Sequence, residues 1–332
     1  MISFGIIGTG WITASFIAGA HATSKWNLAT VYSRSAESAK HFAAKYDQKI
    51  NIHTEISSLA TDPSISAVYI ASPNSYHYKH AKEILEGGKH VILEKPATSN
   101  AKELDELFKI AKEKGVFLIE AYRHIHEVNF KILKGNLPRL GKIYGASLNY
   151  AQYSSRYDNA LKGEVPNIFN LEYAGGALVD LGVYCIAAAV ELFGEPRQSQ
   201  YFPVMIPTGA DGGGNLILTY DNFSVSINAS KIWNSEVPSE VYGEKGTLVV
   251  PTITDIARVV YLDPKKKGER EELGKEKEKE HLNLKEEAAE YARVIEEMDL
   301  EAVKKYEKVS RGVIKVTEGC RRANGLLFPM EK

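Results

Sequence analysis

Hydrophobic positions change their period along this chain. Over the first part, short apolar runs rich in β-branched residues predict strands at 2–7, 27–32, 67–72, 90–94 and 116–121. Segments with apolar residues at helical spacing lie between them and predict helices over 11–22, 36–46, 76–86 and 101–114. Asn100 stands just ahead of the last helix with Glu103 three residues on, the order of a capping box. Strand and helix in strict alternation imply a parallel sheet with right-handed crossovers, so residues 1–121 read as a doubly wound α/β domain. After about Glu120 the pattern changes. Runs at 143–153, 215–220, 224–230, 240–242 and 247–250 read as strands, with hairpin-type connections at Asp221-Asn222 and Glu244-Lys-Gly246. Residues 122–332 therefore read as a second α/β domain with an open, mostly antiparallel sheet. It has an early helix at 177–193 and helical patterns at 284–298 and 306–319. The charged run 265–279 mixes signs and reads as a solvated loop.

Composition narrows the class. With 44% hydrophobic and 25% charged residues the chain has ordinary globular proportions. A net charge of -1 supplies no argument for nucleic acid or a membrane surface as partner. No apolar run approaches the roughly 18 residues of a spanning helix. No basic leader or cleavage site precedes the first strand. The two cysteines, Cys185 and Cys320, are too few for a disulfide framework, and Cys185 in an apolar helix reads as a buried thiol. A reducing, cytoplasmic setting is expected.

The candidate chemistry sits at strand ends. Gly8-Thr9-Gly10 follows a strand and opens a helix. The first glycine suits a tight turn, and the second lets backbone N–H groups approach a pyrophosphate at the helix N-terminus. Gly8, Thr9, Gly10, Trp11 and Ile12 are the candidate contacts of that cofactor end. The third fingerprint position is Thr13, where glycine or alanine is usual. The second strand ends in Ser33-Arg34-Ser35, with no carboxylate until Glu37. An acid there would take the ribose 2′-hydroxyl of NAD, whereas the fork of Arg34 fits the 2′-phosphate of NADP. NADP is the expected cofactor, NAD the alternative. A further strand runs directly into Glu94-Lys95-Pro96, which sets a lysine at the C-terminal edge of the sheet, where ligands bind in open α/β folds.

Three segments resemble the glucose–fructose oxidoreductase, inositol dehydrogenase and rhizopine-catabolism (Gfo/Idh/MocA) oxidoreductase family. Ser72-Pro-Asn-Ser-Tyr-His77 resembles its Thr-Pro-Asn-x-x-His loop. Gly88-Lys-His-Val-Ile-Leu-Glu-Lys-Pro96 resembles its Gly-Lys-His-Val-x-x-Glu-Lys-Pro signature. Ala174-Gly-Gly-Ala-Leu-Val-Asp-Leu-Gly-Val-Tyr184 resembles its Gly-Gly-x-Leu-x-Asp-x-Gly-x-His/Tyr segment. The match reaches Arg321-Arg-Ala-Asn-Gly-Leu-Leu-Phe-Pro329 and so covers nearly the whole chain. Tyrosine at 184 and the run Ile168–Leu178 resemble the branch with dimeric dihydrodiol dehydrogenase and NADP-dependent xylose dehydrogenase. The chain departs at Glu120-Ala-Tyr-Arg-His-Ile-His126, where Ile125 replaces an arginine found in many members.

The resemblance implies a Rossmann-type first domain and a substrate-binding, oligomerising second one. It also implies cofactor contacts from Ser72, Pro73, Asn74, His77, Glu94, Lys95 and Pro96 besides those above. Asp180 and Tyr184, four apart on one helix, share a face, and the family implies that this face meets Lys95 and the nicotinamide. Carbonyl reduction needs a proton donor and a group that stabilises the alkoxide. Tyr184 fits the first role and Lys95 the second, with Asp180 orienting hydroxyls or the lysine. A cation near Tyr184 would lower its pKa from about 10. Arg123, His126, Tyr153 and Tyr157 are candidate substrate contacts. His124 and His126 alternate on one side of an extended segment, but no third ligand is evident, so no metal is expected. The expected function is an NADP-dependent oxidoreductase moving a hydride between nicotinamide and a sugar, polyol or dihydrodiol, in a homodimer or higher oligomer. Two other activities fit the same fold: a non-enzymatic dinucleotide-binding regulator, and NAD-dependent cleavage of glycosides.

Overall fold

The structure is a computed structural model that describes residues 1–266, 268–274 and 284–331. It divides into two compact units, Met1–Arg123 with Leu282–Arg311, and His124–His281 with Gly312–Lys332.

The first unit opens with β1 (Ile2–Ile7), α1 (Trp11–Ala22), β2 (Trp26–Tyr32), α2 (Ala36–Ala43), β3 (Asn51–His53) and α3 (Ile56–Ala60). It continues through β4 (Ala67–Ile70), α4 (His77–Glu86), β5 (His90–Glu94), α5 (Ala101–Lys114) and β6 (Leu118–Ala121). The six strands are all parallel, in the order β3-β2-β1-β4-β5-β6, the doubly wound arrangement that the alternation implies. Asn100 caps α5: its side chain accepts from Glu103 N at 3.0 Å, and Glu103 returns a carboxylate to Ser99 N at 3.3 Å. The pattern missed β3 and α3. A three-residue edge strand with one apolar residue leaves no period to read.

The second unit holds α6 (Val128–Gly135), β7 (Ile143–Ala151), α7 (Arg156–Leu161), a π-helical turn at Leu178–Gly182, α8 (Val183–Phe193), β8 (Gln198–Met205) and β9 (Asp211–Thr219). It continues with β10 (Ser224–Ser230), β11 (Ser239–Gly243), β12 (Gly246–Val250), β13 (Val260–Leu262) and β14 (Glu271–Glu272). The sheet order is β14-β13-β12-β11-β7-β10-β9-β8. β7 and β10 pair in parallel and the other pairings are antiparallel. Edge strand β8, which begins with polar residues, escaped the sequence reading.

Two expectations need correction. The chain returns to the first unit after the second sheet: α9 (Lys285–Glu297) and the first half of α10 (Leu300–Ala323) belong with the Rossmann sheet. Ala288, Tyr291, Ala292 and Ile295 make one apolar face of α9 and join the core around Phe4, Phe16 and Trp26. Trp26 donates its indole N–H to Ala288 O at 2.8 Å. Gly19 lets α9 approach α1, because a Cβ there would lie 2.8 Å from the Leu284 carbonyl carbon. Amphipathicity announces a helix but not the sheet it covers. Second, the 23 residues Leu171–Phe193 are apolar and long enough to cross a membrane by length and composition. Within them 78% of the most apolar window is buried, the pattern of a helix enclosed by its own unit. Of the charged segment 265–279, residues 267 and 275–279 lie outside the described residues. Cys185 and Cys320 are free and buried, and burial pushes both thiols up.

Candidate functional site

At the C-terminal edge of the first sheet, β1 ends in Gly8, whose φ of +103° favours glycine and whose Cβ would lie 2.5 Å from Ala71 O. Gly10 is the opposite case: a Cβ there would meet nothing within 4 Å. It begins α1 without a side-chain cap. An open, side-chain-free approach to a helix N-terminus is what a pyrophosphate requires. Beside it is a cleft of about 280 Å³, lined by Gly8, Thr9, Ser33, Arg34, Ser72 and Pro73 among the expected residues, and by Ile7, Tyr32, Ala71, Tyr76 and His80, which sequence reasoning missed. None of the described lining residues carries a carboxylate. Trp11 is 66% exposed at the first position of α1. Thr13 points the other way: it is fully buried, and its hydroxyl has no partner among the described residues.

Tyr76 and His80 form a flat wall of the cleft, their rings stacked at 5.7 Å and 13°. The edge of Tyr32 meets His80 at 6.3 Å. His80 Nδ1 lies 3.0 Å from Ser72 Oγ. Burial, then the neighbouring charges of His77, Lys79 and Arg34, push its pKa down to about 4, so the ring is neutral near pH 7. The spacing of 76 and 80 on one helical face was readable from the sequence; the partner Arg34, from another crossover, was not.

His77, the first residue of α4, is a buried strut. Its Nδ1 lies 2.8 Å from Pro96 O and its Nε2 2.7 Å from Ser72 O. A neutral ring has one N–H to donate, so only the imidazolium serves both carbonyls. Burial holds the pKa below its ordinary value, against the two carbonyls, which push it up, and together with the charge of Lys95, which lowers it; the neutral ring is therefore favoured and donates to one carbonyl at a time. His77 thereby ties the Ser72 loop to the Lys95–Pro96 turn, whose peptide bond is cis. Lys95 follows β5 directly. Glu94 beside it accepts from Tyr69 Oη at 2.6 Å, and burial raises its pKa against that bond and against Lys95. Below the turn, Glu120 accepts from Ala97 N at 2.7 Å. Burial raises the Glu120 carboxyl to about 7, opposed by bonds from Ser310, Ala97 and Tyr122.

In the second unit, Asp180 lies in the π-helical turn Leu178–Gly182 and Tyr184 in the first turn of α8, where the sequence predicted one continuous α-helix. Single π turns inside helices recur at functional sites. Two glycines allow this one. A Cβ at Gly175 would sit 2.6 Å from Asn167 O, and one at Gly176, with φ +143°, would collide with Asp211 Oδ1. Asp211 accepts from Leu178 N and from Tyr201 Oη, each at 2.7 Å, and so pins the start of the turn. Asp180 forms an ion pair with Lys231, another residue the sequence reading missed. The Tyr184 ring is flanked edge to face by His124 at 5.2 Å and Tyr150 at 5.4 Å. His124 Nε2 lies 2.9 Å from Tyr184 O.

Arg123–His126 is a 3₁₀ turn rather than an extended segment, so His124 and His126 do not share a strand face. Arg123 and His126 are both buried. Tyr153 donates to Asp158 at 2.7 Å, and Tyr157 packs on Tyr153 and Phe169. Among the described residues no group of three or more His, Cys, Asp or Glu side chains could hold a metal ion.

A six-stranded parallel sheet with a glycine turn, an uncapped helix start and an adjoining cleft defines a dinucleotide-binding fold. Residues 2–122 match the GFO/IDH/MocA oxidoreductase family with NAD-binding Rossmann fold, and residues 138–249 match the GFO/IDH/MocA C-terminal domain. The scyllo-inositol 2-dehydrogenase (NADP(+)) IolU of Bacillus subtilis is 39% identical over 334 residues, covering 100% of this chain and 100% of that protein. The oxidoreductase YgjR of Escherichia coli is 37% identical over 334 residues, covering 100% of this chain and 99% of that protein. A solved 3-ketoreductase from Actinomadura kijaniata, in complex with NADP and TDP-benzene, superposes with a TM-score of 0.80 at 21% identity, covering 96% of this chain and 97% of that one. The last likeness is one of fold. The chain belongs to the GFO/IDH/MocA family and is an NAD(P)-dependent oxidoreductase of that family.

Proposed function

We propose that this protein is an NADP-dependent dehydrogenase that exchanges a hydride between the nicotinamide and a secondary hydroxyl or carbonyl of a cyclic polyol or sugar. The observation that carries the reading is full-length identity of 39% to an NADP-dependent scyllo-inositol dehydrogenase. The residues at the end of β2 support the cofactor choice: Ser33 and Arg34 line the cleft, and the lining side chains offer hydrogen-bond donors but no carboxylate for a free 2′-hydroxyl. Gly8 to Ile12 would hold the pyrophosphate, Arg34 and Ser33 the 2′-phosphate, and the Tyr76–His80 wall the adenine. Asn74, His77, Glu94 and Pro96 complete the loops around it.

When bound, the dinucleotide supplies the hydride acceptor or donor. The chain supplies the rest. Lys95 is the cation that stabilises developing negative charge on the reacting oxygen. Tyr184 gives that oxygen its proton in reduction and takes it in oxidation. Asp180 accepts a hydrogen bond from a neighbouring hydroxyl and so orients the ring. Arg123, His126, Tyr153 and Tyr157 are assigned no chemical step.

The test is absorbance of reduced nicotinamide with NADP⁺ or NAD⁺ and a panel of scyllo-inositol, other cyclic polyols, aldoses and a dihydrodiol. Turnover with NADP⁺ and a cyclic polyol or sugar is expected. Equal use of NAD⁺ removes the cofactor assignment, and silence across the panel removes the substrate class.

A further inference from the structure

Lys231 belongs to no motif, yet it is placed with unusual care. It follows β10, which is hydrogen-bonded to β7 on one side and β9 on the other. Its N–H donates to Gly212 O at 2.8 Å, and its carbonyl accepts from Ser154 N at 2.9 Å. Just before it, Ser230 Oγ accepts from Ile232 N at 2.9 Å and Trp233 N at 3.1 Å and closes a tight turn. The lysine therefore leaves the sheet from a fixed point. Its side chain is only 9% exposed and ends on the Asp180 carboxylate. A lysine buried this far is costly to keep charged without a partner. Its partner is the carboxylate of the π-helical turn, which is itself pinned by Asp211 and two glycines. The pair is lopsided: the aspartate side chain is 28% exposed, so the ammonium is the enclosed end and the carboxylate the open one.

We infer that Lys231 is a positioning residue for the dehydrogenase reaction. It holds Asp180 ionised and aimed, so that Asp180 meets the substrate as a hydrogen-bond acceptor. The inference rests on the reading of Asp180 given under the proposed function. It also narrows the substrate. A carboxylate accepts and does not donate, so Asp180 needs a substrate group that donates: a free hydroxyl qualifies, and an ether or deoxy position facing it does not.

The experiment uses the full chain with NADP⁺ and scyllo-inositol or the best polyol of the panel. It compares wild type, Lys231→Met, Lys231→Arg, Asp180→Asn and the Lys231→Met/Asp180→Asn double variant. It reads kcat, KM, the Kd for NADPH and the melting temperature. Lys231→Met should lose about tenfold or more in kcat/KM with NADPH affinity within about threefold, and Lys231→Arg should recover most of the loss. In the Asp180→Asn background, Lys231→Met should cost little further, because a residue acting through Asp180 is not additive with it. Additive losses, or unchanged kcat/KM in Lys231→Met, overturn the assignment. If Lys231→Met melts below the assay temperature, Lys231→Arg decides: activity close to wild type supports the role and a loss of about tenfold or more overturns it. A wild type that turns over no polyol or sugar sinks the functional reading itself, before any variant is made.

Discussion

The dinucleotide cradle of the first unit and the Asp180 turn of the second occupy comparable places, each where sheet and helix meet, but are made of different materials. The cradle is backbone: Gly8 bends it, Gly10 leaves its approach open, and the start of α1 needs no side-chain cap because the helix end itself attracts an anion. The Asp180 turn is held by side chains. Asp211 comes from β9 and Tyr201 from β8, and Lys231 from the end of β10. A site of backbone is encoded in consecutive residues and carries a motif. A site of side chains is assembled from distant strands and has no such signature.

The sharpest break in this comparison is expected at Lys95. Lys95→Ala should cut turnover by roughly 10³-fold or more, since under the proposed mechanism it removes the charge that stabilises the alkoxide. NADPH binding should stay within about tenfold, because a backbone cradle does not depend on that side chain. Near-normal turnover on a confirmed substrate would return Lys95 to a structural role.

Next in size is Tyr184→Phe, which removes one hydroxyl from a ring held between His124 and Tyr150. Turnover should fall by about 10²-fold with the melting temperature unchanged. An unaltered rate, measured where chemistry limits turnover, would leave the proton to water.

Arg34 is the exception within the cradle, a lining side chain proposed to choose between cofactors. Arg34→Ala should weaken NADPH by about ten- to a hundredfold and leave NADH nearly untouched. Equal losses for both would mean that the guanidinium packs on the adenine instead.

The smallest effect concerns Glu120, the carboxyl that supports Ala97 beneath the Lys95 turn. Burial raises it to about 7 in the folded protein. Between the ordinary carboxyl range and that value the native state binds more protons than the unfolded chain. The stability tied to this group is therefore full below about pH 4 and is lost as pH rises through 7. Glu120→Gln, neutral throughout, should gain on the order of 1–2 kcal/mol relative to wild type between pH 5 and pH 8, read from melting curves. A constant difference across that range would show that Glu120 is not the titrating group.

Much of this protein was legible in one dimension. The alternation of periods announced the parallel sheet, with β1, β5, α1 and α5 at the bounds found. Asn100 announced the start of α5. Gly8-Thr-Gly10, Ser33-Arg34 and Ser72-Pro73 announced the residues around the cleft, because each is a strand-end turn whose conformation is set by its own few residues. What the chain alone withheld depends on contacts across distance. The return of α9 to the first sheet rests on Trp26, Gly19 and Leu284 meeting over more than 250 residues. His77 became a strut only when Pro96 O and Ser72 O were brought to its two nitrogens. The π-helical turn at Asp180 is held by Asp211, which arrives from β9, and its partner Lys231 leaves a turn that no motif marks. Sequence by itself determined the longer elements of the first unit and the backbone-built end of the site, since propensity and turn chemistry are local. Tertiary structure alone decided which charges face each other, since burial makes a charge seek a partner wherever in the chain that partner lies.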